Sequence, residues 1–287
     1  MEKNKILSVI VTHNRLAILK ECIHALLSQS YSLFDILVVN NHSNDGTKDY
    51  LSSINDQRIF HVNLDSDVGS SGGFNLGIRY AFEHKYSYCW LMDDDAIPTN
   101  TALERIVDVN LEYGFLCSKV LWIDGTEAKM NVPKFNKKSS SVFRSVKQAS
   151  FVSFYIPMSV IKEIGLPIKE FFIWGDDVEY SLRISDKYPC YYINESIVIH
   201  KMKANIGSSI ALDTIERIDR YFYAFRNEFY IYRNRGIKGK LYYFLKCFLN
   251  FCRILFFSKE YKKKRFKVLF SGIKAGLNFH PKIEYIL

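Results

Sequence analysis

Asp93, Asp94 and Asp95 stand in a row directly after the apolar run Tyr88-Cys89-Trp90-Leu91-Met92. Three adjacent carboxylates repel one another, and holding them together is costly unless a cation offsets their charge. The carboxyl end of a strand is also where open α/β sheets bind ligands. Taken alone the triplet reads equally well as a solvated acidic turn, so the rest of the chain has to decide. Trp174-Gly175-Asp176-Asp177-Val178-Glu179 places further acids after a turn glycine, at the start of a helical pattern. There the helix dipole keeps a carboxylate ionised and able to accept a proton. An N-cap role accounts for one of these acids but not for the others. His200 ends the apolar run Tyr191 to Ile199. With Asp93 and Asp95 it offers the mixed oxygen and nitrogen ligands that Mn2+ or Mg2+ accepts when phosphate oxygens complete the shell. A strand-end His is by itself more often structural, and only the combination argues for a site.

These residues need elements to carry them. Ile6–Val11, Phe34–Val39, Arg58–Leu64 and the run into Asp93 read as strands, with Pro98 discouraging any continuation of the last. Helical spacing follows the first strand (Leu16, Leu19, Ile23, Leu26, Leu27), and a helix is expected from Gly72-Gly73 to about His84. Between them lie polar loops: Thr12-His13-Asn14-Arg15, the turn cluster Asn40 to Thr47, in which Asp45 or Thr47 would cap the next helix, and Asp65 to Phe74. Strand–helix alternation with short loops predicts a mostly parallel sheet wrapped by helices, all of its ligand loops on one edge. Gly72 and Gly73 would let backbone N–H groups approach an anion, although the Gly69–Gly73 spacing is not the dinucleotide fingerprint. Further strands are expected over 114–123, 150–156 and 191–199, with short helices after Pro157 and after Gly175. Met130 to Gln148 reads as a polar, basic, mobile loop near the site.

The ordered motifs Val11-Thr12-His13-Asn14-Arg15, Asn40 to Thr47, Gly69 to Asn75, Asp93-Asp94-Asp95 and Trp174 to Glu179 resemble those of inverting family 2 glycosyltransferases. Within that family the chain is most similar to galactofuranosyl- and rhamnosyltransferase-like enzymes of bacterial surface polysaccharide synthesis. The resemblance, over about residues 5–235, implies a GT-A fold: α/β, Rossmann-like, with a mixed, mostly parallel sheet flanked by helices. It implies that Thr12, Asn14, Arg15 and Asn41 hold the nucleotide, with Asp67 and Gly73 lining the same loop edge. Asp93, Asp95 and His200 would bind Mn2+ or Mg2+, Asp94 would lie against the sugar–nucleotide, and Asp177 would be the catalytic base. Asp176 and Trp174 would shape the acceptor and donor-sugar pocket. The implied donor is a nucleotide sugar, UDP-galactofuranose ahead of dTDP-rhamnose, and the implied acceptor a polyisoprenyl-diphosphate-linked glycan. An inverting transfer needs a base and an electrophile for the departing diphosphate, and no enzyme nucleophile. The rival readings are a nucleotidyltransferase, for which no Lys/Arg-rich triphosphate loop is seen, and a non-catalytic sugar-nucleotide-binding protein.

The formal charge of +9 is unevenly placed: residues 233–287 carry 14 Lys/Arg and two acids, whereas residues 1–232 carry 25 and 28. A division into a catalytic region, 1–235, and a basic, aromatic helical appendage, 236–287, follows. Leu241 to Phe257 is almost wholly apolar, but Lys246, Asn250 and Arg253 share one helical face. That pattern predicts a helix lying in an anionic membrane surface rather than crossing it, its basic stripe and Lys262-Lys263-Lys264-Arg265 and Lys267 among headgroups. The alternative is an aromatic seam on the catalytic region or between copies of a homo-oligomer. Nucleic acid is the poorer partner for so many Leu and Phe. Six cysteines without CxxC or Cys/His spacing suit a reducing compartment, and the N-terminus reads as neither signal peptide nor membrane span. A peripheral enzyme on the cytoplasmic face of the cell membrane is the resulting expectation.

Overall fold

The computed structural model describes residues 5–136 and 143–286. Strands β1 (Ile6–Thr12), β2 (Phe34–Asn40), β3 (Ile59–Asn63) and β4 (Tyr88–Asp93) pair in parallel in the order β3-β2-β1-β4. All seven residues of β1 are buried, as expected for a strand covered on both faces. Beyond β4 the sheet becomes mixed. There β9 (Phe154–Pro157) runs antiparallel between β4 and β6 (Leu116–Leu121), and β10 (Tyr191–His200) lies parallel to β6. The short strand β5 (Ala96–Pro98) pairs antiparallel with the end of β10. Pro98 is thus accommodated at a short edge pairing rather than ending extended structure outright.

Helices cover both faces. α1 (Leu16–Leu27) and α4 (Ala102–Val107) bury Leu19, Ile23, Leu26, Leu103 and Ile106 on one side. α3 (Gly69–Glu83), α5 (Met158–Ile164) and α6 (Asp176–Ser185) bury Phe74, Ile78, Ile161, Tyr180 and Ile184 on the other. α3 sits close on β1 because Gly73 and Gly77 face it. A Cβ on either would come within 2.5 Å of Val11 Cγ1 or 2.3 Å of Val9 Cγ1. Gly73 therefore serves helix–strand packing, turned inward and away from the ligand edge.

Some local expectations change. Gly46, in the left-handed region, takes the position just before α2 (Thr47–Ser53), and Asp45, one residue earlier, accepts both the N–H of Thr47 at 3.3 Å and the N–H of Leu16 at the start of α1 at 2.8 Å. Gly175, at φ 88°, takes the position before α6, so Asp176 and Asp177 occupy its first turn and neither caps it. The loop expected over Met130–Gln148 holds a small antiparallel pair, β7 (Lys134–Phe135) and β8 (Arg144–Gln148). Its residues 137–142, with the basic-serine stretch, lie outside the described residues.

The chain after β10 builds a helical layer. α7 (Ile215–Ile218) leads into α8 (Arg220–Arg233), which packs against α9 (Gly236–Phe257) and α10 (Lys262–Asn278) around Phe225, Phe229, Tyr243, Ile254 and Leu269. Contacts cross the 235/236 division, and the chain end returns to the sheet body. Glu284 pairs with Arg79 (2.7 Å) and Lys169 (2.6 Å), and Ile286 joins the core under α3. The expected basic stripe of α9 is also revised. Lys246 pairs with Glu228 of α8, Asn250 is buried, and Arg265 is buried with its guanidinium donating to the carbonyls of Ile210 and Asp213. Lys246 and Asn250 thus lie towards the helical layer, and the Leu/Phe face of α9 (Leu241, Leu245, Phe248, Phe256) is the exposed one.

Candidate functional site

The parallel register of β1 and β4 sets Val11 beside Asp93, which brings the loops after both strands together. Thr12 Oγ1 donates to Asp94 Oδ2 at 2.7 Å. Arg15, one residue before α1, reaches across with Nη1 on Asp94 at 2.9 Å and Nη2 on Asp95 at 2.7 Å. Thr12 and Arg15, expected on the nucleotide, thus hold the acidic triplet in place. His200, at the end of β10, sets Nε2 2.9 Å from Asp95 Oδ1 and Nδ1 2.8 Å from Asn131 Oδ1. Asn131 donates its own amide to Ser150 Oγ at 3.0 Å, so its carbonyl oxygen faces the imidazole and can accept from Nδ1–H. Nε2 is thereby the nitrogen aimed at the carboxylates.

Asp93, Asp95 and His200 each offer one ligand atom, all within 4.8 Å of one another. Two carboxylate oxygens and an imidazole held from behind by an amide oxygen fit a divalent cation such as Mn2+ or Mg2+. Asn131 was not legible in the sequence. It lies in a polar stretch without periodicity, and its partner is 69 residues away.

The second cluster arrives from α6. The turn Phe172–Gly175 carries three residues with positive φ, namely Phe172 (64°), Trp174 (63°) and Gly175 (88°), and it delivers Asp176 and Asp177 to the cleft. It is wedged against α3. Ser71 N–H donates to the Phe172 carbonyl at 3.2 Å, and a Cβ on Gly69 would lie 1.9 Å from that oxygen. Trp174 stands edge-on to Tyr221, ring centroids 4.9 Å apart, with the Arg217 guanidinium 5.9 Å from its ring. The Asp177 carboxylate accepts the N–H of Val178 at 2.7 Å.

The remaining predicted residues form the rim. Asn41 is buried and bridges two loops: its amide donates to Asp67 Oδ1 at 2.6 Å, and its oxygen accepts Val68 N–H at 2.9 Å. Asp67 also accepts the N–H of Gly69 at 2.8 Å. Asn14 is exposed, at φ 54°, and its oxygen accepts Asn44 N–H at 2.7 Å. Asn14, Asn41 and Asp67 therefore knit the three loops at the carboxyl ends of β1, β2 and β3 into one edge.

Crowding acids into this cleft has electrostatic consequences. Burial, opposed by Arg15, pushes the Asp94 carboxyl up to about 6. Burial and the neighbouring carboxylates raise Asp93 as well. Burial alone would raise Asp95, but the hydrogen bond and charge of His200, with those of Arg15, hold it below the ordinary carboxylate range. Burial, then the charges of Asp176 and Asp93, push Asp177 up to about 8. A carboxylate poised so high is a stronger proton acceptor than an ordinary one.

Two outcomes follow. Because Asn131 orients His200 from behind, Asn131→Ala should weaken Mn2+ binding, read by titration calorimetry, about 10- to 100-fold. Unchanged affinity would remove the His200 assignment. In folded protein Asp177 binds its proton more tightly than in the unfolded chain, so its contribution to stability is full at low pH and is lost as pH rises towards its folded value. The Tm of metal-free Asp177→Asn should therefore gain on wild type between about pH 5 and pH 9. A constant difference across that range would contradict the burial argument.

Comparison with known proteins agrees with this architecture. The family model described as "Glycosyl transferase family 2" matches residues 8–161. The glycosyltransferase AglE of Haloferax volcanii is 25% identical over 209 residues, 67% of this chain and 65% of its own length. The galactofuranosyltransferase GlfT1 of Mycolicibacterium smegmatis is 30% identical over 98 residues, 33% of this chain and 32% of its own. The chain thus spans less than two thirds of either relative. Among solved structures, the Pyrobaculum calidifontis mannosyltransferase PcManGT, in complex with GDP-Man and Mn2+, superposes with a TM-score of 0.55 at 12% identity. That superposition covers 94% of this chain and 75% of PcManGT, and it shows a shared GT-A-like fold. With more than half of the chain matched by the family model, and the sheet and loop edge arranged as described, the protein belongs to glycosyl transferase family 2.

Proposed function

We propose that this protein is a metal-dependent inverting glycosyltransferase that moves a sugar from a nucleotide-diphosphate donor to a lipid-linked glycan acceptor at a membrane surface. The observation that carries the reading is the meeting of two clusters. Asp93 and Asp95 and the first turn of α6 come from segments some 80 residues apart, yet Asp93 lies close enough to Asp177 to raise its proton affinity. In the proposed reaction the acceptor hydroxyl gives its proton to Asp177. Its oxygen bonds the anomeric carbon as the bond to the diphosphate breaks, and the nucleoside diphosphate leaves with the electron pair. A cation held by Asp93, Asp95 and His200 would supply positive charge where negative charge develops on the leaving group. Asn14, Asn41 and Asp67 frame the nucleotide edge. Asp94, tied to Thr12 and Arg15, lies beside the sugar–nucleotide, with Asp176 and Trp174 on the acceptor side.

UDP-galactofuranose is the favoured donor, with dTDP-rhamnose as the alternative. The named function of GlfT1 supports the first. Capsule, O-antigen or cell-wall polysaccharide is the corresponding product class. The membrane assignment rests on α9. Its inner face (Gly239, Tyr243, Cys247, Asn250, Ile254) seats on the other helices, while Ile237, Leu241, Leu245, Phe248 and Phe256 point outward. Phe256 is 72% exposed, and the stripe continues along the whole helix. A contiguous apolar face of this kind needs a partner. Exposed Lys238, Lys240, Arg253, Lys262, Lys263 and Lys267 rim it, which favours an anionic lipid surface over a second basic copy of the chain. No helix among the described residues is long and apolar enough to cross a membrane.

In a transfer assay with Mn2+ and a polyprenyl-diphosphate-linked sugar acceptor, UDP-galactofuranose should be consumed. Asp177→Asn should lose at least about 100-fold in kcat while still binding UDP. Turnover of dTDP-rhamnose alone would reverse the donor ranking, and full activity in EDTA would remove the metal. Wild-type protein should co-sediment with vesicles containing anionic phospholipid and release partly in salt, whereas the Leu241→Asp/Phe248→Asp variant should stay in solution. Equal sedimentation of the two would mean that α9 is not the contact.

A further inference from the structure

The turn that delivers the base is strained and is held from outside itself. At Phe172 the backbone adopts φ 64° and ψ −62°, and Ile173 N–H donates to the Phe171 carbonyl at 2.7 Å. That is the geometry of the rare γ-turn, unfavourable for a residue with a side chain. Trp174 follows, also with positive φ. Such conformations cost of order 1–3 kcal/mol each and persist only where surrounding groups over-determine them. The turn has no ladder of its own, and its consecutive carbonyls cannot satisfy one another.

Asn227 of α8 supplies what is missing. Its amide nitrogen donates to the carbonyls of Phe171 (2.9 Å), Ile173 (3.2 Å) and Trp174 (2.7 Å), with two hydrogens shared among three acceptors. The side chain is fully buried. Its own oxygen accepts Arg226 Nε at 3.0 Å, and Arg226 Nη2 donates to the carbonyls of Glu170 (2.6 Å) and Phe171 (3.1 Å). On the far side of the turn, Ser71 N–H takes the Phe172 carbonyl. Every carbonyl from Glu170 to Trp174 is therefore claimed from another element, four of the five by adjacent residues of α8. Asn is a poor choice for a helix interior, and this one sits in the aromatic run Arg220–Arg233. Its place there is accounted for by the turn it holds.

We infer that Asn227 is the positioning residue for the catalytic base: it locks the Phe171–Gly175 turn so that Asp176 and Asp177 face the Asp93–Asp95 cluster. The inference rests on Asp177 being the base. It acts on the geometry of the turn: Asn227 reaches only main-chain carbonyls there and makes no hydrogen bond to Asn14, Asn41 or Asp67 of the nucleotide edge. A displacement of about 1 Å in a reacting group costs on the order of 100-fold in rate.

The test uses the full-length Asn227→Ala and Asn227→Ser proteins. Three quantities are compared with wild type: kcat and KM for the nucleotide sugar that wild type turns over, the Kd of UDP with Mn2+, and amide exchange in the peptide covering 171–178. For Asn227→Ala, kcat should fall about 10- to 100-fold while KM and the UDP Kd move less than about three-fold. Exchange over 171–178 should quicken at least about ten-fold, with the peptide covering 88–95 unchanged. Ser, which keeps one short donor, should recover part of both losses. The inference is overturned if kcat stays within about two-fold of wild type, if exchange over 171–178 is unchanged, or if UDP binding weakens and exchange quickens throughout the chain together with the fall in kcat. A wild-type protein that turns over no nucleotide sugar would count against the base assignment itself. The exchange comparison needs no substrate and separates that failure from failure of the clamp.

Discussion

Negative charge gathered out of water is the constraint on which this structure turns. Asp93, Asp94, Asp95, Asp176 and Asp177 converge on one cleft, with Asp94, Asp95 and Asp176 buried and Asp93 and Asp177 half-buried, and an uncompensated buried carboxylate costs several kcal/mol, far more than an exposed ion pair returns. The fold answers with specific partners: Thr12 and Arg15 on Asp94, Arg15 and His200 on Asp95. Asp93 feels His200 only at a distance and Asp177 makes no ion pair among the described residues, and both are driven towards the protonated form. A cleft left short of positive charge in this way is pre-set for a cation on one side and for a proton on the other.

That arrangement explains why the two acidic motifs are supported so differently. The first sits at the end of a central parallel strand, where register with β1 sets its place to within a residue. The second sits on an irregular turn with unfavourable backbone angles, and it is fixed from outside by α3 and α8. α8 also buries Phe225 and Phe229 against α9 and α10. One helix thus joins the turn that carries Asp176 and Asp177 to the layer that exposes the apolar stripe, so the C-terminal helices are structurally continuous with the sheet body.

Much of this was legible in the sequence. Continuous apolar runs specify buried parallel strands, because only a strand covered on both faces can be apolar at every position. Loops rich in Asn, Asp and Gly after those runs locate the ligand edge, and Asp93–Asp95 and Trp174–Glu179 announce themselves by clustering like charges where solvation alone does not explain them. Even the apolar face of α9 can be read from its spacing.

What the sequence by itself determined is the main strands and helices, their order, and where the acids cluster, because these follow from local periodicity and from the cost of adjacent charge. What only the tertiary structure decided is who holds whom. That Thr12 and Arg15 brace the acids, that Asn131 orients His200, that Asn227 clamps the turn before α6, and that Lys246 and Arg265 face inward all depend on contacts between residues 18 to 82 positions apart. No pattern along the chain encodes such pairs, since a buried hydrogen bond takes its value from desolvation and geometry, and both exist only once the helices and sheet have packed.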